Sequence, residues 1–296
     1  MGWPFGLRRP GNEIMTKIWS VVAGTTLLLL PATLHAQDVA SNSADRAEPD
    51  IWRISTGVNY SRGDYGDVAD TEVISSSISA KYAHGPVSVR VSVPFVYISG
   101  PGSLIDTPQG GGGSGGSQGG TSGGSGGGVV GGAGANRERS GIGDVSVRLG
   151  YEFELGESTW FDMAARVKLP TASHRKAIGT GKVDVTLSGE LTQDVGNASF
   201  FVGSHYRFID SPTGASLRKT YGFSGGASYQ LGSTIVGVDY DWARSANQGA
   251  GPSSEVTGWI NFKLAERLRM QAYGSTGFTT NSADVAGGLS LSYRFR

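Results

Sequence analysis

The sequence predicts an all-β chain: a transmembrane antiparallel up-and-down β-barrel of about twelve strands with one long Gly-rich extracellular loop. Three observations predict it. Long segments alternate apolar and polar side chains. The links between them are by turns short and long. Charged residues are only 17% of the 296, while Gly numbers 48 and Cys none; an average soluble domain has roughly 25% charged residues and ~7% Gly.

The alternation is plainest over Ile142–Leu155. Val145, Val147, Leu149, Tyr151, Phe153 and Leu155 share one face, and Asp144, Ser146, Arg148, Gly150, Glu152 and Glu154 the other. Side chains on a strand point to opposite faces with a period of two, so this is a strand with one apolar and one charged side. The same pattern returns around Val183–Val195, Thr234–Trp242, Val256–Leu264 and Val285–Phe295, and less strictly over 52–60, 72–83, 87–98, 159–169, 198–209, 219–231 and 267–277. Soluble strands usually run about five or six residues, whereas about ten tilted residues cross the apolar core of a bilayer.

Short turns fall at His84-Gly85, Glu157-Ser158, Gly196-Asn197, Gly232-Ser233 and Ala265-Glu266; the longer links are 61–71, 99–141, 170–181, 210–218, 243–254 and 278–283. An even strand count with loops sorted by length to the two ends is the layout of an outer-membrane barrel. The polar face then lines the interior, because Lys or Arg facing lipid at the midplane costs about 2–4 kcal/mol. Aromatic residues such as Trp52, Tyr60, Tyr82, Tyr97, Tyr151, Trp160, Tyr206, Tyr229, Tyr240, Trp242, Trp259 and Tyr273 fall mostly near strand ends, as an interfacial girdle requires.

The N-terminal part reads as a secretory signal peptide over residues 1–36, with Met15 as an alternative true start. Lys17 precedes the apolar stretch Ile18–Leu30, Pro31 breaks it, and Leu34-His35-Ala36 offers a cleavage site. A stretch of about thirteen apolar residues falls short of the ~20 that a spanning helix needs. Residues 37–50 form a periplasmic segment and 51–296 the barrel, which includes the Gly/Ser-rich low-complexity outer loop 99–141. Of the 48 Gly, 16 lie in Gly110–Gly134, spaced by Ser, Thr and Gln, a composition without a packed core of its own. The expected location is the outer membrane of a Gram-negative bacterium, in contact with outer-membrane lipid.

Composition excludes several classes. Without Cys there is no disulfide scaffold, thiol nucleophile or cysteine-ligated zinc. Lys+Arg and Asp+Glu are 25 each, so no basic footprint for nucleic acid exists. Gly179-Thr180-Gly181-Lys182 is no phosphate loop: the preceding Gly is missing, and Val183 replaces the Ser/Thr that would hold magnesium. A lipid hydrolase, the rival class, needs Ser, His and an orienting group. His84, His174 and His205 lie near no nucleophile motif, so no catalytic residue is assigned. Asp64, Asp67, Asp70 and Glu72 match no defined calcium loop, and Arg62-Gly63-Asp64 is an adhesion-like tripeptide of the kind that loops produce by chance. No metal and no cofactor are expected.

Three motifs carry a resemblance. Ser140-Gly141-Ile142-Gly143-Asp144-Val145, Lys168-Leu169-Pro170-Thr171 and Gly179-Thr180-Gly181-Lys182-Val183-Asp184-Val185 resemble the outer-membrane barrel "transporter" family named for the MetA pathway of phenol degradation. That family pairs a Gly-x-Gly-Asp strand start with a Lys-x-Pro-Thr-Gly strand end and a Gly-x-Gly-x-x-Asp strand start; here Ala172 stands where Gly is usual. The terminal Tyr293-Arg294-Phe295 resembles the closing signal read by the barrel-assembly machinery, with Tyr293 and Phe295 as its aromatic positions and Arg296 added after them. The resemblance implies an outer-membrane channel or transporter for small solutes, with aromatic or hydrophobic compounds among the candidates.

The candidate site is the interior wall: Asp144, Arg148, Glu152 and Glu154; then Asp162, Arg166 and Lys168; then Asp184 and Glu190; and, further round, Asp239 and Asp241 with Glu255. A mixed-charge wall holds water and sets ion preference; alternatively the same charges pair across strands and plug a narrow barrel. Passive passage of small solutes is the expected function. A structural or surface-interaction barrel is the second reading, and a soluble β-sandwich the third.

Overall fold

The computed structural model describes residues 51–65, 69–101, 105–108, 125–129, 137–173, 176, 178–211 and 217–295. The signal-peptide and periplasmic readings, the low-complexity core of the long loop, Asp67 and His174 lie outside the described residues. Strands follow one another in the order β1 (Ile51–Gly63), β2 (Thr71–His84), β3 (Val87–Gly100), β4 (Ile105–Pro108), β5 (Ser125–Val129), β6 (Arg137–Ile142), β7 (Ser146–Gly156), β8 (Thr159–Lys168), β9 (Asp184–Val195), β10 (Ala198–Ile209), β11 (Thr220–Leu231), β12 (Thr234–Ala243), β13 (Ser253–Ala265), β14 (Leu268–Gly277) and β15 (Val285–Phe295).

From β1 to β3 and from β7 to β15 each strand pairs antiparallel with the next, and β1 closes on β15 from Trp52↔Phe295 to Arg62↔Val285. β6 and β7 share one position in the ring. The upper part of β3 pairs with β6 and its lower part with β7, so the sheet is a closed antiparallel barrel of twelve spans with one strand in two pieces. Closure satisfies the backbone groups of every edge, the condition for a structure in lipid. Among the described residues no helix is long and apolar enough to cross a membrane.

Turn chemistry separates the ends. Gly85, Gly196 and Gly232 have positive φ in tight hairpin turns, a conformation that Gly adopts without a Cβ penalty. All five tight turns lie at one end, the short-turn end, and the longer links lie at the other. The outer segment is shorter than 99–141 at both ends: β3 runs on to Gly100, Arg137–Ile142 already pairs with it, and β4 and β5 form a separate two-stranded ladder.

The outward face is apolar and bare, with Leu149 54%, Val202 59% and Leu289 56% exposed. The buried side chains are largely polar: Arg53, Thr71, Asp184, Thr192, Thr220, Asp239 and Asn261 rank among the most enclosed. A soluble protein shows the reverse distribution. Three expected girdle residues sit elsewhere. Trp160 and Trp259 are buried within the barrel, and Tyr273 donates a hydrogen bond to Asn59 Oδ1 there. Trp52 and Tyr82 do face outward, ring centroids 4.9 Å apart.

Candidate functional site: the charged interior

At the long-loop end the three motifs meet in one buried cluster. The chain pauses between β6 and β7 at Gly143-Asp144-Val145, where Gly143 N–H bonds Pro94 C=O. Asp144 then turns inward. Lys168, the last residue of β8, sits opposite Asp184, the first of β9. Its Nζ lies 3.1 Å from Asp144 Oδ2 and 2.9 Å from Asp184 Oδ2, and it donates to Thr180 Oγ1 at 3.0 Å. Arg207 adds a second cation on Asp184 Oδ2 at 2.9 Å. All four charged side chains are at most 6% exposed.

This cluster folds 169–173 and 178–183 into the barrel mouth. Leu169 N–H and Val145 C=O join at 2.7 Å. Val145 N–H donates to Thr171 Oγ1, which donates in turn to Gly143 C=O. Ala172 N–H donates to Asp144 Oδ1 at 2.9 Å. Ala172, Ile178 and Thr180 are buried as a result. Gly179 is required by space: a Cβ there would lie 2.6 Å from the Ala172 Cβ and 3.0 Å from both Asp144 carboxylate oxygens. The opposite rim folds inward too. Ser282 Oγ accepts from Ser254 N–H and donates to Ser254 C=O, Ala283 N–H reaches Glu255 Oε1, and Tyr65 packs against Ala283 and Ala286.

Below the mouth, cross-strand register sorts the charges. One row of directly opposite partners reads Arg294, Arg53, Lys81, Arg90, Arg148, Arg166, Thr186, Arg207. A second reads Glu152, Asp162, Glu190, Gly203, Ser224, Asp241, Glu255. Between them runs a row of mostly small residues: Ser88, Gly150, Ala164, Ser188, His205, Gly222, Ala243. Barrel strands tilt by roughly 35–45°, so rows perpendicular to the strands climb around the wall as they cross it. Like charges opposite one another destabilise a sheet; here six basic and five acidic residues face a like charge on the next strand. A cavity spans the rows, lined by Arg148, Asp162, Ser188, Glu190, Gly203, His205 and Ser224 among others.

Each anticipated wall residue has a definite place. Arg148 and Arg166 stand in the basic row; Glu152, Asp162, Glu190 and Asp241 stand in the acidic one. Asp144, Lys168 and Asp184 form the mouth cluster. Asp239 is buried two residues below Asp241, while Glu154 is exposed at the short-turn end. The Tyr293 and Phe295 rings lie tilted against each other, centroids 4.0 Å apart. Sequence reading did not anticipate the bulky groups that fill the wall towards the short-turn end. Trp259 lies over Gly237, where a Cβ would come within 2.3 Å of its Cζ2. Phe201 and Asp239 crowd Gly226, at 2.5 and 2.6 Å from such a Cβ. The signal for these pairs is an inward-facing Gly beside an inward-facing aromatic on the next strand.

Known structures share this architecture. The COG4313 outer membrane channel from Pseudomonas putida F1 matches with a TM-score of 0.59 over 90% of this chain and 100% of its own, at 12% identity. The KdgM porin and the NanC porin each match at 0.50, over 82% of this chain and 99% of theirs, at 7% identity. The fold is that of outer-membrane channels. Likeness at such identities is one of fold, and no family model and no curated protein matches the chain. The resemblance to the MetA-pathway barrels therefore rests on the motif residues alone.

Proposed function

We propose that the chain is an outer-membrane channel for the passive passage of small solutes and a member of the MetA-pathway barrel family, with no enzymatic step. The observation that carries this reading is the closed barrel with an apolar exterior and a charge-lined interior, narrowed at one mouth by the inward fold of 169–183. That fold is built from the three family-like motifs, which gives the resemblance a structural reason. The leader-like segment up to Ala36 supports export, and the short-turn end then faces the periplasm. Tyr293 and Phe295 close the last strand as the barrel-assembly signal requires, and the bare outer face meets lipid.

The resemblance puts forward aromatic or hydrophobic compounds as cargo. The charged rows weigh against an apolar one, because it would displace water from both. Osmotic swelling of liposomes carrying the purified protein tests the channel: entry of a small uncharged or zwitterionic solute above that of protein-free vesicles supports it, and rates equal to theirs for both overturn it.

A further inference from the structure

We infer that the interior is a two-rail track for small zwitterions, solutes that carry a carboxylate and an ammonium group in one molecule. This rests on the channel reading and names its substrate class. The track is most complete across four adjacent strands, β7 to β10. Its basic rail is Arg148, Arg166 and, beyond Thr186, Arg207. Its acidic rail is Glu152, Asp162 and Glu190, ending at Gly203. The floor between them is Gly150, Ala164, Ser188 and His205.

On every one of these strands the rails are separated by four residues, roughly 13 Å between Cα atoms at about 3.3 Å per residue. A long Arg from one side and a short carboxylate from the other narrow that gap. The cavity lined by Arg148, Asp162, Glu190 and Ser188 lies there, with about 20 Å³ of space, room for about one water. His205 lies along the floor over Gly222, where any Cβ would come within 2.5 Å of its ring.

A simple anion meets attraction from one rail and repulsion from the other. An uncharged solute must displace water from both without replacing its charge–dipole contacts. A zwitterion lying across the floor puts its carboxylate toward Arg148 or Arg166 and its ammonium toward Asp162 or Glu190, so both ends are favoured. Because the rails run in parallel, stepping from β7 to β8 keeps both contacts, and on β9 and β10 Glu190 and Arg207 each keep one. Opposed charges in a low-dielectric wall concentrate such solutes as a charged cleft concentrates ions.

The test uses the full chain in liposomes, with glycine and glycolamide, isomers that differ in being zwitterionic and uncharged, as permeants. Glycine is expected to enter about tenfold faster than glycolamide, the lower end of the effect of a charged cleft. Arg148→Gln and Asp162→Asn are each expected to remove that preference, and to move the KCl reversal potential in opposite directions, toward K+ selectivity and toward Cl− selectivity respectively. Arg166→Gln and Glu190→Gln, the next pair along the same rails, replace any variant that loses its heat-modifiable band. Glycolamide entering as fast as glycine, or a preference that survives in both neutralised variants, overturns the track while leaving a channel. Wild-type protein that passes neither solute nor ions overturns the channel reading and the track with it.

Discussion

Lys168 holds the mouth together through three partners, Asp144, Asp184 and Thr180, with almost no exposure to solvent. Removing one member of a buried charge cluster leaves the others uncompensated and costs about 3–5 kcal/mol. Lys168→Met is therefore expected to lower stability by that order in urea unfolding followed by Trp fluorescence. The same variant should speed tryptic cleavage at Lys176 and Lys182, which lie in the link that it releases; unchanged cleavage would contradict the latch. Ala172 shows why the family-like motif survives without its usual Gly. Tyr65 is the only described non-Gly residue with positive φ, so the turn at Ala172 asks nothing that a Cβ forbids. At Tyr65 a φ of 49° is held by packing on Ala283 and Ala286 and by a hydrogen bond to Ser61. Burial pushes its phenol up from 10.0 to about 12. A raised phenol is favoured neutral, so the stability it lends is complete below pH 10 and is lost as pH climbs from 10 toward 12. Tyr65→Phe is expected to flatten that alkaline loss relative to wild type in a pH series of unfolding curves.

The link 169–183 is the element where sequence and structure meet most fully. Gly143, Thr171 and Gly179 stand far apart in the chain as separate signatures, and each makes sense only when the link is folded against Asp144. The strands themselves were legible because period-two alternation survives wherever one face meets lipid and the other does not. Register was less so. Gly156↔Thr159 and Glu154↔Trp160 differ by one residue of slip, a bulge that no residue type announces. Yet that slip is what sets Arg148 against Arg166 rather than against outward-facing Val167. The inward Trp259 was hidden for a different reason: it alternates like a girdle residue, and only its partner Gly237 reveals which way it faces. Trp259→Ala removes a side chain that covers Gly237. It is expected to cost about 3 kcal/mol and to raise single-channel conductance; a conductance equal to wild type would place the constriction elsewhere.

For the whole molecule, balanced charge has a spatial meaning. The chain carries 25 basic and 25 acidic residues, and the barrel keeps a large share of both inside, ranked by sign, while its outer wall is apolar. That ordering depends on twelve spans closing in one register, so it belongs to no single strand and was not readable from any. The mouth cluster sits directly above the rows, and Arg207 joins the two, ending the basic row while bonding Asp184. A solute on that path meets the folded link first and the rows after it. Planar-bilayer recording of wild type and Lys168→Met tests this account most directly. It predicts discrete conductance steps from the wild type and larger steps once the mouth cluster is broken; a bilayer that stays silent with both proteins would contradict it.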